Sequence, residues 1–251
     1  DGLAKILQNV RRTAELVRHR LSQDTWNILV ELTSVPKDWA RTKGQRMDDA
    51  IRLLSRMIQH LAAVNGMVME NMTRSYAWRF LEMGRRLERV RHLSKLIRHL
   101  GTRGNPEVTG SLNLLLELAD SAITYRTRYK AEAKLAAVLD LLLADETNPR
   151  SVIFQLLTFD SHMSALPNEE TSASLNPAQK ITTRICTDIR LTDMIQVAEF
   201  TKKTKVRANL VRLLKQVDQS VHQLSDIVAH TYFSHSLAQR ISGPQWLEGI
   251  P

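Results

Sequence analysis

From Tyr76 to Leu100 the chain reads YAWRFLEMGRRLERVRHLSKLIRHL, 25 residues with no proline and a single glycine, Gly84. Apolar residues recur at spacings of three and four, so the stretch predicts one helix of roughly 38 Å at 1.5 Å per residue. A helix of this length is held chiefly by packing against neighbours rather than by its own propensity. At about 100° per residue, Ala77, Phe80, Leu81, Gly84 and Leu87 define its apolar arc, and Glu88, Arg91 and Lys95 fall inside that arc. An isolated buried charge is very costly, so their offsets of three, four and seven predict an internal ion network of Glu88 with Arg91 and Lys95. A neighbouring arc carries Trp78, Glu82, Arg85 and Arg89. Its guanidinium groups suit a carboxylate or phosphate, with the indole covering an apolar part of the ligand. The same spacing also fits a Trp78 packed under arginine stems, with Glu82 bridging Arg85 and Arg89.

The rest of the chain reads the same way. Leu3, Ile6, Leu7, Val10, Ala14, Val17 and Leu21 predict a first helix, and Ser22 or Asp24 can cap a second that stops before Pro36. A third runs from about Met47 to Asn71, with Ile51, Leu54, Ile58, Leu61, Ala62 and Val68 on its stripe. Gly101 and the TRGNP that follows end the long central helix. Beyond them, helices are expected over 109–130 and 133–144. Another should be capped by Asn148, with Pro149 in its first turn, and two more span about 176–199 and 206–237. The polar segment NEETSASLNP is a connection, and the tail SGPQWLEGIP has no periodicity. No strand alternation competes, so the fold class is all-α: a helical bundle of about eight or nine helices.

Charge is distributed unevenly. Residues 1–103 hold 20 Lys/Arg against 10 Asp/Glu, while residues 104–251 hold 15 against 16, which together give the net charge of +9. A basic half suits phosphate-bearing ligands, an acidic partner or nucleic acid. No apolar run approaches the ~20 residues of a membrane span, and the first residues do not resemble a signal peptide. With one cysteine, Cys186, no internal disulfide is available, and a cytoplasmic location is expected.

The segment MTRSYAWRFLEMGRRLERVRHLSKLIR resembles the signature of the Alpha-E family, an all-α domain with a Glu-Arg motif. VRRTAELVRHRLSQDTWNIL, ITYRTRYKAE and VLDLLLADETNPRSVIFQL resemble further family segments, so the likeness covers most of the chain. It implies an association with circularly permuted ATP-grasp proteins, in cis or in trans, and with transglutaminase-like proteins, in a setting of ATP-dependent amide or peptide bond formation. It also implies a single helical domain over 1–251 that lacks the family's first helix, as in the C-terminal part of an ATP-grasp fusion. A subdivision near 101–108 is expected where the charge balance changes. The positions that match are Arg74, Trp78, Arg79, Gly84, Arg85, Glu88 and Arg89 in the signature, and Trp26 in the LSQDTW segment. Tyr125, Arg126, Arg128 and Tyr129 match in the next segment, and Asp145, Asn148, Pro149 and Arg150 in the loop. Val90 stands where the family often has a small residue. Lys95 stands where it often has arginine, which removes a bidentate donor.

The function expected from these residues is an accessory, substrate- or partner-engaging helical domain of an ATP-grasp ligase system. Arg74, Trp78, Arg85, Arg89, Arg126, Arg128 and Arg150 are the candidate ligand- or partner-binding residues. Phosphate-loop and nucleophile-elbow patterns are absent, so ATP and magnesium are expected only in the ATP-grasp partner, and no catalytic residue is assigned. Glu-x-x-His, the tetrapeptide of carboxylate-bridged metal centres in bundles, does not occur. His222, Asp226 and His230, spaced by four, are too few on one helix face to assign a metal site. Cys186 reads as a buried thiol. The alternatives are a basic nucleic-acid-binding domain and a pure scaffold; the first lacks any recognisable reading motif.

Overall fold

A computed structural model describes residues 2–41, 46–104, 110–167, 175–200 and 206–233. Among them are eleven α-helices and no strand, apart from an isolated antiparallel bridge between Arg103 and Val206. The chain is all-α, as the periodicity predicts. It divides into two compact units, Asp1–Trp78 and Arg79–Pro251. The division falls near the start of the central helix, whereas the 101–108 segment lies inside the second unit.

The first unit holds α1 (Leu3–Leu16), a 3-10 turn (Arg18–Arg20), α2 (Gln23–Arg41) and α3 (Met47–Asn71). Ser22 caps α2, its Oγ accepting from Thr25 N at 3.2 Å. The α2 helix does not stop before Pro36 but continues to Arg41. A proline within a helix costs about 3 kcal/mol. Leu32 and Val35, just ahead of it, are buried in the unit's core with Leu7 of α1 and Met57 of α3, and that packing offsets the cost. Asp49 accepts from Arg46 N at 3.1 Å and closes the start of α3. The expected apolar stripes are only partly used. On α1, Leu7 and Ala14 are buried while Leu3, Ile6 and Val10 are exposed. On α3 the buried residues are Met57 and Val68; Ile51, Leu54, Ile58 and Leu61 face outward.

The second unit contains nearly all of α4 (Tyr76–Gly101), then α5 (Ser111–Leu118), α6 (Ala122–Tyr129), α7 (Leu135–Leu139), α8 (Val152–Ser164), α9 (Pro177–Arg190), α10 (Met194–Ala198) and α11 (Ala208–Phe233). The α7 helix continues into a π-helical turn, Asp140–Ala144. Val138, Leu139, Leu141, Leu142 and Leu143 are wholly buried, while Asp140 between them is exposed, so the segment sits deep in the core with one polar edge. The α8 helix packs on α9, and α9 on α11.

Two expected helices break in two. The 109–130 pattern bends at Asp120, whose φ of 50° is tolerated by aspartate, and Ser121 N bonds Leu116 O at 2.9 Å to close α5. The 176–199 pattern stops at Arg190, and Asp193 Oδ1 starts α10 by accepting from Ile195 N at 2.8 Å. These breaks raise the helix number above nine. Asn176 and Gln179 form a reciprocal capping box ahead of α9, with Pro177 at its first position. The NEETSASLNP connection up to residue 174 and the SGPQWLEGIP tail lie outside the described residues, as do residues 234–237 of the last expected helix.

The cap of α8 also differs from expectation. Ser151 is the cap, its Oγ accepting from Phe154 N at 3.1 Å and donating to Asp145 O at 2.6 Å. Asn148 is buried instead. Its Nδ2 donates to Leu141 O at 3.0 Å, satisfying a carbonyl of the π-helical turn, and its Oδ1 accepts from Arg150 N at 3.0 Å.

A candidate anion site on the central helix

The buried glutamate of α4 is Glu82, at 0% exposure. Its two oxygens lie 2.6 Å from Arg85 Nη1 and 2.6 Å from Arg86 Nη2. Arg86 Nη1 also donates to Gln155 Oε1 of α8 at 3.2 Å, and Gln155, itself buried, donates through Nε2 to Pro149 O. One carboxylate therefore holds two guanidinium groups, and an amide ties one of them to the loop ahead of α8. The buried charge is thus paired, as burial requires, with Arg86 donating to Oε2 and Arg85 in ion-pairing contact with Oε1.

Glu88 is not that residue. Its side chain is 73% exposed and meets Arg91 Nη1 at 3.3 Å on the surface, and Lys95 is exposed. The expected internal network is thus a surface ion pair, and the physical reason is the rotation of the helix. The buried face runs through Met83, Leu87, Val90, Ser94 and Ile97, whereas Leu81 is exposed and Gly84 faces open space. Counting Leu81 and Gly84 as core turns the arc toward Glu88 and away from Glu82.

Arg89 lies one turn beyond both Arg85 and Arg86, three and four residues on, where helix side chains are neighbours. It is half-buried and has no carboxylate within ion-pairing distance among the described residues. Burial, followed by the positive charges of Arg86, Arg150 and Arg85, lowers its pKa from the ordinary arginine value, with Glu82 opposing the shift. Arg150 pairs with Asp120. His162, buried on α8, is held below the ordinary histidine value by burial first, and by Arg79 and Arg86 against the opposing charge of Glu82. Arg85, Arg89 and Arg150 of the expected set therefore come together, joined by Arg86 and Gln155, which sequence reasoning did not select.

The other expected residues lie elsewhere. Arg74 and Trp78 belong to the first unit, where the Arg74 guanidinium stacks 4.3 Å from the Trp78 ring centre and donates to Met69 O. Arg128 donates to Asp145 and, at 3.2 Å, to Thr147 Oγ1, and its hydrogen bond to Asp145 raises its pKa. Burial pushes Asp145 up, but the hydrogen bonds of Thr147 and Arg128 outweigh it and leave the carboxyl below its ordinary value. Tyr129, stacked on Tyr125 and donating to Asp140 at 2.9 Å, is pushed up to about 12 by burial and that bond. Arg126 is exposed, 3.9 Å from Glu117, beside a cavity of about 550 Å³ lined by Leu112, Leu116, Tyr125 and Lys134.

Among the described residues no group of three His, Cys, Asp or Glu is arranged to hold a metal, and His222 Nδ1 lies 2.7 Å from Asp218 O. Burial pushes the Cys186 thiol up to about 12, which removes the thiolate a nucleophile needs. No helix among the described residues is long and apolar enough to cross a membrane.

Residues 1–233 match the Alpha-E family, described as a predicted alpha-helical domain with a conserved ER motif. The chain belongs to the Alpha-E family. It contains one Glu-Arg dipeptide, Glu88-Arg89, in which the glutamate is exposed and the arginine sits in the cluster on α4. This Alpha-E chain is 26% identical over 235 residues to uncharacterized proteins of Mycobacterium tuberculosis and Mycobacterium bovis. The match covers 92% of the chain and 26% of each relative, so the chain spans about a quarter of the length of these curated relatives. No solved structure matches it.

Proposed function

We propose that this Alpha-E domain is an accessory module of an ATP-grasp amide-ligase system, engaging an anionic group of a substrate or partner through arginines on α4 and the loop ahead of α8. In this reading a circularly permuted ATP-grasp domain supplies ATP, magnesium and the bond-forming chemistry. This chain supplies recognition, and a transglutaminase-like protein is a further candidate partner. The family resemblance supports the setting. The length of the curated relatives supports a domain that works beside other sequence. The observation that carries the reading is Arg89: a half-buried cation among three other arginines, with no carboxylate in ion-pairing reach among the described residues. Cations are not gathered in this way for stability, because like charges repel and desolvation adds to the cost.

The test is calorimetric titration of the purified chain with a circularly permuted ATP-grasp protein, comparing wild type with Arg89→Ala. Association weakened about tenfold or more by the substitution supports the reading, at 1.4 kcal/mol per decade. Association untouched by it removes Arg89 from the interface, and no association at all removes the ATP-grasp setting.

A further inference from the structure

We infer that the cluster of Arg85, Arg86, Arg89 and Arg150 is a receptor for a phosphate monoester, a doubly charged group held at the Arg89 end of the cluster. The inference rests on the reading above and names the chemistry of the anionic group.

Charge accounting leads to a dianion. Four guanidinium groups are gathered here. Glu82 faces Arg85 and Arg86, and Asp120 faces Arg150. Two carboxylates set against four guanidinium groups leave a net excess of two positive charges, with Arg89 the arginine of the four that has no carboxylate partner among the described residues. A carboxylate ligand neutralises one of the two. A phosphate monoester carries about −1.5 to −2 at pH 7 and matches both, with three acceptor oxygens for the forked guanidinium donors. A phosphodiester, as in nucleic acid, carries one charge per phosphate and falls short in the same way as a carboxylate.

The scaffold is arranged before any ligand arrives. Glu82 fixes the Arg85 and Arg86 guanidinium groups from the buried side, and Gln155 fixes Arg86 to Pro149, the residue before Arg150. Asn148 Oδ1 accepts from Arg150 N at 3.0 Å and sets the backbone from which the fourth arginine departs. Preorganised donors lose little side-chain freedom on binding. Arg89 has five donor positions, and no hydrogen bond to a protein acceptor engages them among the described residues. Its half-burial weakens competition from water and salt, so an anion reaching it gains more than at an open surface. An anion also relieves the repulsion among the four cations, so binding must stabilise the fold.

The experiment titrates the chain at fixed pH 7.5 and constant ionic strength with phenyl phosphate, benzoate, dimethyl phosphate and inorganic phosphate, following thermal stability and backbone-amide NMR shifts. Phenyl phosphate should bind about tenfold or more tightly than benzoate or dimethyl phosphate, with shifts centred on residues 85–89 and 148–151. Arg89→Ala should remove that preference and Arg89→Lys should recover only part of it, because lysine lacks the fork. Inorganic phosphate as good as phenyl phosphate assigns the site to the free ion, and a weaker response assigns it to an ester. Equal response to benzoate, or phosphate binding unchanged in Arg89→Ala, overturns the inference. If phosphates fail while an ATP-grasp protein still binds in an Arg89-dependent way, the inference falls and the broader reading stands. Should Arg89→Ala fail to fold, Arg150→Ala reports on the same preference from the exposed side.

Discussion

The two units of this chain show similar apolar periodicity, but they use it differently. In the first, α1, α2 and α3 are long amphipathic helices whose shared core is small: Leu7, Leu32, Val35 and Met57, with Leu53 packed against it. Apolar residues on α1 and α3 remain outside, Ile58 at 66% exposure being one example. In the second, α7, α8, α9 and α11 enclose a continuous core that includes Phe159, Leu142 and Val217. A stripe spaced by three and four establishes that a segment is helical. It does not establish how many neighbours the helix has.

The largest expected effect separates the two cores. Phe159→Ala removes a fully buried ring from the densest part of the second unit and should cost about 3–5 kcal/mol. Hydrogen exchange of α8 and α9 amides should then accelerate by about a hundredfold or more, provided those amides exchange by opening of that core. The next effect is that of Glu82→Ala. It leaves the Arg85 and Arg86 guanidinium groups without their carboxylate and should cost about 3 kcal/mol in urea unfolding. Glu82→Gln, which keeps an acceptor, should lose less.

In the smaller core, Leu32→Ala should cost about 2 kcal/mol, at the low end for such a change, because few side chains enclose the site and they can close over the gap. Its exchange signature should fall on α1 to α3. A loss as large as that of Phe159→Ala would erase the contrast between the units. Ser151→Ala should cost about 1 kcal/mol, since it removes the α8 cap and the bond to Asp145 O. Asn148→Ala at the residue first expected to cap serves as the comparison, and it should instead disturb the Leu141 carbonyl of the π-helical turn.

These residues also show how far the sequence could be read. The helical class, the span of α3 and the span of α4 follow from periodicity, and Gly101 ends α4 as a helix stop should. The breaks at Asp120 and Asp193 were not legible, because both depend on local bonds that apolar spacing does not encode. Pro36 misled in the opposite direction: burial of Leu32 and Val35 overrode a local stop signal. At the candidate site, Arg85, Arg89 and Arg150 were identifiable as basic residues in recognisable segments. Gln155 was not, because its role comes from a long-range bond to Arg86 across 69 residues. The choice between Glu82 and Glu88 turns on Leu81 and Gly84, which read as core by spacing but face outward.

The smallest expected effect tests that choice directly. Glu88 and Glu82 lie six residues apart on one helix, each with an arginine three residues on, so their local sequence patterns are nearly equivalent. Their environments are opposite. At Glu82 both oxygens are engaged out of water, while at Glu88 an exposed carboxylate meets an exposed guanidinium at 3.3 Å, where solvent screens the attraction. Glu88→Gln should therefore change stability by less than about 0.5 kcal/mol, and raising the salt concentration should make wild type and variant indistinguishable. A loss above about 1 kcal/mol would mean that α4 is rotated so that Glu88 faces inward. Glu82→Gln would then be the mild substitution, and the arginines assembled around Glu82 would lose the anchor that holds them in place.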